Sequence, residues 1–447
     1  MTSLVWFRDD LRLADHSALD AASRTPGGIV ALYVLEHESS RPIGAAARWW
    51  LHQSLTQLRA SLAERGIPLI LRSVAAETVL PAVATECRAT HVFWNRRYGP
   101  ERHIDARIKG ALTASGIAAH SFHGGLLFDP RMITTGSGTP FRVYTPFWRA
   151  CLEAPAPARP LPVPGSLAAA PQQPRSEELC SWDLQPASPN WAAEIAQRWR
   201  PGEAAAAARL REFLDEDAAR YAANRDIPSA THGSELSPHL RFGEISPRTV
   251  WHEALGSGAD VGTFLSELGW REFAWHTTFH NGALHEQGLD ARFDHFPWRH
   301  DGGADTAAWR MGETGFGIVD AGMCELWRTG FMHNRVRMIT ASFLVKNLLV
   351  DWRIGEAWFW DTLVDADAAS NPFNWQWVAG CGADAAPYFR IFNPLTQQQK
   401  FDPAGSYVTR WAPDSVLHPP LVDLRESRAR ALAGFESIRG LPRAAAR

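Results

Sequence analysis

The chain has 447 residues, of which 45% are hydrophobic and 21% charged, with a formal net charge of −3. That length and balance fit a globular protein of two or three domains and exclude a single small core. No apolar run approaches a membrane span, the opening MTSLVWFRDDLRL meets charge too early for a secretory or lipidation signal, and the charge balance leaves nucleic acid only a local basic patch. Residues 3–7 (SLVWF) and 28–35 (GIVALYVL) are β-branched and aromatic runs that read as buried parallel strands. LRLADHSALDAASR between them has helical spacing. A second helix covers 45–65 and stops at Gly66, a residue suited to end it. PLILRSV, THVFWN and AAHSFHG follow as strands, with helices over 75–85 and 102–115 between them. This alternation predicts a doubly wound parallel α/β domain over residues 1–130, whose sheet would bind ligands at the C-terminal strand edges. It contains no GxGxxG and no GxxxxGK followed by Ser or Thr, so a Gly-rich nucleotide loop is not indicated.

From Cys151 to Pro189 the composition turns Pro- and Ala-rich (LEAPAPARPLPVPGSLAAAPQQP). This predicts an extended interdomain connector over 131–199, lying on the surface. Helical periodicity then takes over at 204–221, 247–255, 263–280, 320–328, 334–351 and 356–363, with few strand signals. Residues 200–447 therefore form an all-α domain. The five cysteines, Cys87, Cys151, Cys180, Cys324 and Cys381, are odd in number and scattered. They point to reduced thiols in a cytoplasm and against a disulfide framework, a zinc site or a four-cysteine cluster, so no metal is expected. Twenty tryptophans are many. Most fill core, and ordered rings would also serve a redox or photochemical protein as electron carriers.

The densest chemistry lies in residues 363–394, LVDADAASNPFNWQWVAGCGADAAPYFRIFNP. Asp365, Asp367, Asn371, Trp375, Trp377 and Arg390 crowd into one run. Polar groups among this much aromatic surface are costly to bury unless each finds a partner. Two readings are open: turn-rich, polar-decorated core, or the floor of a pocket for a large, flat, polar-edged cofactor. In the helix that begins at Asn334, an i, i+3, i+4 stripe joins Asn334, Arg337, Met338, Ala341 and Val345. Arg337 on that stripe either finds a buried acceptor, Asp365 or Asp367, or reaches out to water. THGSELSPHLRFGEIS (231–246) places hydroxyl residues ahead of a helix start, a setting that suits a phosphate or an everyday N-cap. Glu267, Trp270 and Arg271 put a carboxylate, a large ring and a cation on one helical face, as either a functional group or an edge ion pair.

Taken together, these segments resemble the photolyase/cryptochrome flavoprotein family over nearly the whole chain. The resemblance runs from WFRDDLRLADHSAL through WRPGEAAAAARLREFL, SELSPHLRFGEISPR, LGWREF and TGFGIVDAGMCELWRTGFMHNRVRMITASFLVKNLLVDWR to the 363–394 run. It implies a U-shaped FAD, active as the reduced hydroquinone anion, which under light passes an electron to a cyclobutane pyrimidine dimer in UV-damaged DNA and takes it back. Tyr221, Ser234, Leu236 and Ser237 match the phosphate-embracing segment. Trp270, Arg271, Asn334, Arg337, Asp365 and Asp367 match cofactor-facing positions, with Arg337 and Asp365 resembling the buried pair beside the isoalloxazine. Asn371 matches the residue near flavin N5. Photolyases carry Asn there, plant-type cryptochromes typically Asp and animal-type ones Cys. An amide at that position can donate to N5 without adding charge.

Trp375, Trp352 and Trp298 match the family's electron-conducting tryptophans. Glu267, Trp270, Met338 and Trp377 match the dimer pocket, where a carboxyl group meets the thymine edge and rings stack on flipped bases. Arg225, Arg335, Arg390 and Lys400 match or neighbour the phosphate-gripping rim. Enzymes for (6-4) photoproducts use a histidine pair in the pocket. Met338 at one of those positions favours the cyclobutane dimer and deoxyribodipyrimidine photolyase activity. A blue-light photoreceptor of cryptochrome type is the alternative function, and (6-4) repair a further one. A monomer without a membrane is expected. The antenna chromophore stays open between methenyltetrahydrofolate, a deazaflavin, a flavin and an empty site, with Tyr98 to Glu101 near a folate. The sequence departs from the family at Gly233, where Thr is usual and whose loss weakens FAD binding, at His16, where Asn is usual, and in the short segment between Trp411 and Val422.

Overall fold

The computed structural model describes residues 1–36, 41–230, 233–300, 303–385 and 389–442. Thr231 and His232 of the proposed phosphate segment, and Ala386, Pro387 and Tyr388 of the 363–394 run, lie outside the described residues. Five strands, β1 (Thr2–Phe7), β2 (Gly28–Leu35), β3 (Leu69–Ser73), β4 (Ala89–Asn95) and β5 (Ala118–Phe122), form one sheet in the order β3-β2-β1-β4-β5. All neighbours pair in parallel, so Leu4 sits between Val30 and Val92. Helices α1 (Ser17–Ser23), α2 (Ala45–Ala63), α3 (Ala76–Glu86) and α4 (Arg102–Ala114) supply the crossovers. The unbroken apolar runs of β1 and β2 are buried on both faces, as helix-covered strands must be. Gly66 stands past α2 at φ +71°, where a side chain would be strained. The α1 helix is shorter than its periodic segment because His16 caps it, Nδ1 accepting from Leu19 N–H at 3.0 Å. His16 is therefore a buried cap.

The C-terminal strand edges are closed by ion pairs. Arg8 meets Asp105 at 2.7 Å, and Arg97 meets Glu36 at 2.5 Å and Asp105 at 2.9 Å. Tyr98 is buried and its hydroxyl pairs with His123 Nδ1, so that hydroxyl is already engaged.

The connector differs from expectation. Helix α5 (Tyr144–Glu153) lies within it and buries Phe147 and Cys151, while Leu179, Trp182 and Leu184 join the core beside the sheet. Aromatic anchors at both ends of the Pro-rich run tie it down. Between them the chain is extended and pairs locally with β2, through Ile29 N–H to Ala168 O and Ala170 N–H to Ile29 O.

The remainder is helical: α6 (Ala193–Arg198), α7 (Glu203–Glu212), α8 (Ala218–Asn224), α9 (Ser237–Arg241), α10 (Pro247–Gly256), α11 (Gly262–Asn281), α12 (Gly303–Met311), α13 (Gly317–Thr329), α14 (Asn334–Ser342), α15 (Trp352–Thr362), α16 (Ser370–Ala379), α17 (Pro394–Phe401), α18 (Ser406–Trp411) and α19 (Leu424–Arg439). Two predicted helices are broken. A π turn at Phe213–Asp217 separates α7 from α8, and another at Phe343–Asn347 ends α14 early. Leu349 then takes φ +56°, and Leu349 O and Asp351 N–H pair with the backbone of Arg299 in place of helix. The polar 363–394 run holds a helix, α16, within its turns. The short segment after Trp411 packs through Asp320, which accepts from Ser415 Oγ at 2.5 Å and from Thr314 Oγ1 at 2.6 Å.

Buried polar contacts join sheet and helices. Arg12, only 2% exposed, donates to the carbonyls of Ala14, Asp15, Gly124 and Gly243. Asp15 receives Arg248 at 2.6 Å. Among the described residues no helix is long and apolar enough to cross a membrane, and the five cysteines form no disulfide.

Candidate active site

A cavity of about 750 Å³ opens among α8, α9, α11, α14, α16 and the turn before α16. Helix α14 turns Asn334, Arg337, Met338 and Ala341 into it, four members of the predicted stripe. Arg337 takes the buried-acceptor alternative. Its Nη2 donates to Asp365 Oδ2 at 2.9 Å and its Nε to Met332 O at 2.7 Å. Asp365 also accepts from Ser237 Oγ at 2.7 Å. Its other oxygen, Oδ1, is buried with no partner among the described residues. An orphaned carboxylate oxygen in a cavity wall asks for a donor from whatever fills the cavity. Asp367 also lines the cavity. Its Oδ1 accepts from Ala369 and Ser370 N–H at 2.8 and 2.5 Å, fixing the start of α16.

Asn371 is held from behind. Its Nδ2 donates to Glu356 O at 3.1 Å and Glu356 Oε1 at 2.7 Å. Both neighbours are acceptors, so the amide nitrogen must face them and the carbonyl oxygen is left for the cavity. This reverses the expected polarity: Asn371 offers an acceptor, where the sequence suggested a donor. Glu356 is in turn gripped by Arg41, Nη1 to Oε1 at 2.9 Å and Nη2 to Oε2 at 2.5 Å. Burial pushes the Glu356 carboxyl above its usual range, with Arg41 and Asn371 offsetting part of the rise.

Tyr221, Arg225, Ser234, Leu236, Ser237, Glu267, Arg271 and Trp375 also line the cavity. Arg209 holds the carbonyls of Gly233 and Ser234 at 2.6 and 3.0 Å, so the glycine that replaces a hydroxyl sits in a braced turn. Arg225 pairs with Glu267 within that lining, and outside it Arg335 pairs with Asp226 at 2.8 Å. Arg335 and Lys400 both lie over Phe401, at 4.6 and 4.9 Å. Two predicted pocket rings do not line this cavity. Trp270 stacks on Tyr144 at 3.7 Å, and Trp377 lies under Arg390 at 5.1 Å beside a small second hollow.

Trp375, Trp352 and Trp298 are buried in one core cluster. Trp375 touches Phe359 at 5.0 Å and Trp309 at 6.4 Å. Trp298 contacts Phe296 at 4.2 Å, and Arg299 bridges to Val350, two residues before Trp352. Gly355 gives the Trp375 indole room: a Cβ there would stand 2.1 Å from its ring. Gly355→Ala is therefore expected to lower stability by about 1–3 kcal/mol, read as a fall in Tm, with an altered near-UV tryptophan signal. An unchanged Tm and spectrum would show that the ring is not packed there.

The family model for DNA photolyase matches residues 3–165, and that for the FAD binding domain of DNA photolyase matches residues 264–420. The chain is 45% identical to a deoxyribodipyrimidine photo-lyase of Agrobacterium fabrum, over 98% of each chain. A bacterial class III photolyase from Agrobacterium tumefaciens superimposes with a TM-score of 0.93 at 45% identity, covering 98% of each chain. The chain belongs to the DNA photolyase family. It is also 39% identical to cryptochrome-1 of Arabidopsis thaliana, over 92% of this chain and 63% of that protein.

FAD is the cofactor of this photolyase-family chain, and the cavity suits it. The orphaned Asp365 Oδ1, the inward Asn371 carbonyl, and the Ser234 and Ser237 hydroxyls offer separate polar contacts to one extended ligand. Sequence reasoning missed Glu356 and Arg41 behind Asn371, Asp226 beside Arg335, and Trp309 beside Trp375. Arg41 lies 315 residues from Glu356, too far for any local pattern to reveal. Trp309 carried no signal beyond being one tryptophan among twenty.

Proposed function

We propose that the protein is a light-driven repair enzyme for cyclobutane pyrimidine dimers in DNA. One observation carries the reading: the residues matched to the flavin (Arg337, Asp365, Asn371) and those matched to the lesion (Glu267, Met338) line a single cavity. Bound, reduced FAD supplies the one-electron chemistry, donation to the lesion and recovery afterwards. The chain does the rest. Asp365 Oδ1 and Asn371 Oδ1 would hold the cofactor as hydrogen-bond acceptors. Arg337 compensates the charge of Asp365. Glu267 meets the pyrimidine edge as negative charge develops there, and Met338 packs against the bases. Trp375, in the cavity wall, starts the route by which electrons arrive through Trp352 and Trp298. Arg225, Arg335, Arg390 and Lys400 take DNA phosphates, which gives a chain of net charge −3 its local basic rim.

The same reading assigns residues 1–130 to an antenna-type unit, 131–199 to the connector and 200–447 to the FAD- and DNA-binding unit, in a cytoplasmic monomer. The engaged Tyr98 hydroxyl is a poor donor to a folate, so an antenna chromophore would be held by other groups.

The test gives reduced, flavin-loaded protein an oligonucleotide with one thymine dimer under blue light. Restored thymines are expected; bound, reduced FAD with no restoration would point to the photoreceptor reading that cryptochrome-1 similarity offers. Glu267→Ala is expected to slow repair about tenfold with flavin retained, the worth of one charge-assisted hydrogen bond. Loss of flavin from that variant would instead place Glu267 in cofactor binding.

A further inference from the structure

Arg225 and Asp226 are consecutive residues just after α8, opposite in charge, and each is already spoken for. Arg225 Nη1 pairs with Glu267 of α11. Asp226 Oδ2 pairs with Arg335 Nη2 of α14 at 2.8 Å. One dipeptide thus pairs with both α11 and α14, through Arg225 in the cavity lining and through Asp226 outside it. The cation assigned to phosphate, Arg225, and the carboxylate assigned to the lesion, Glu267, neutralise each other, and Arg335 is neutralised by Asp226. The pairs are reachable by solvent: Arg225 and Glu267 side chains are 22% and 29% exposed, and those of Arg335 and Asp226 22% and 42%. Packing steadies both cations in place, Arg225 over Tyr221 at 5.8 Å and Arg335 over Phe401 at 4.6 Å. A pair of this exposure is weak enough for a phosphate to displace.

We infer that Arg225 is an interlock between DNA backbone and lesion, holding Glu267 away from a base until a phosphate claims the guanidinium. The inference rests on the repair reading above. Its logic is linkage: binding of phosphate to Arg225 frees Glu267, so backbone grip and lesion reading strengthen each other. A lesion presented without phosphates must break the Arg225–Glu267 pair unaided. Dimers are then read well only within a nucleic-acid strand, which makes Arg225 a determinant of substrate class as well as of affinity.

The test compares two ligands in the dark: a dimer-containing oligonucleotide, and the thymine base dimer with no sugar or phosphate. Full-length, flavin-loaded wild type and Arg225→Met are titrated with each. Arg225→Met is expected to weaken oligonucleotide binding severalfold and to tighten base-dimer binding about threefold, the worth of a partly exposed pair. Arg225→Lys should bring both values back toward wild type. In Arg225→Met/Glu267→Ala the gain for the base dimer should vanish. The opposite signs are decisive. If Arg225→Met weakens both ligands while retaining flavin, or leaves base-dimer binding unchanged, Arg225 merely supports Glu267 and the interlock is overturned. Failure of the repair reading shows elsewhere, as wild type that restores no dimer in light.

Discussion

Arg337→Met should purify with little flavin and melt at a lower temperature than wild type. The pair it breaks is well enclosed: Asp365 exposes 4% of its side chain and Arg337 24%. Removing the guanidinium leaves a carboxylate whose remaining hydrogen-bond donor among the described residues is Ser237 Oγ. Stranding a buried charge in this way costs about 3–5 kcal/mol. Much of that falls on the holoprotein, because Asp365 and Arg337 share the cavity wall that FAD occupies. A loss of about 3 kcal/mol would lower flavin affinity more than a hundredfold. The ratio of flavin to protein absorbance after gel filtration measures it. Arg337→Lys should recover only part, since a single ammonium cannot serve both Asp365 and the Met332 carbonyl with the same fork. Stoichiometric flavin at the wild-type Tm in Arg337→Met would show that the pair does not hold the site together.

Trp375→Phe is expected to abolish photoreduction of oxidised flavin while the chemically reduced protein still repairs dimers. Trp375 is the member of the matched tryptophan set that lines the cavity, and it is 2% exposed. Phenylalanine is far harder to oxidise than indole, so the substitution removes the first electron donor without removing the ring. Packing should suffer modestly, by about 1–2 kcal/mol for the space left against Phe359, Trp309 and Gly355. Illumination with an external reductant, followed by the flavin spectrum, reads the first effect, and dimer repair by dithionite-reduced protein reads the second. Normal photoreduction would remove Trp375 from the route. Loss of both activities would place it in the chemistry of the lesion.

The α/β unit was legible because its central strands, β1 and β2, are short, doubly buried and largely apolar, and because turns and helix caps punctuate the alternation. The stripe on α14 was legible for the same reason: helical spacing put Arg337 on the face that meets Asp365. What sequence could not show was orientation. Asn371 was marked as a cofactor neighbour, yet which end of its amide faces inward depends on Glu356, fifteen residues earlier. Motif matching places Trp270 and Trp377 in the pocket, but neither lines the cavity: Trp270 stacks on Tyr144, from a distant segment, and Trp377 lies under Arg390 of its own run. The break after α14 was hidden because residues 334–351 keep helical spacing, while the competing backbone partner, Arg299, lies elsewhere in the chain.

The Arg41–Glu356–Asn371 chain also has a consequence for biosynthesis. Arg41 and Glu356 are separated by 315 residues. At translation rates of about 5–20 residues per second, Arg41 leaves the ribosome roughly 15–60 s before its partner. The wall behind Asn371 cannot close in that interval. Flavin capture therefore belongs to the end of synthesis, and a nascent chain stalled before α15 should emerge colourless.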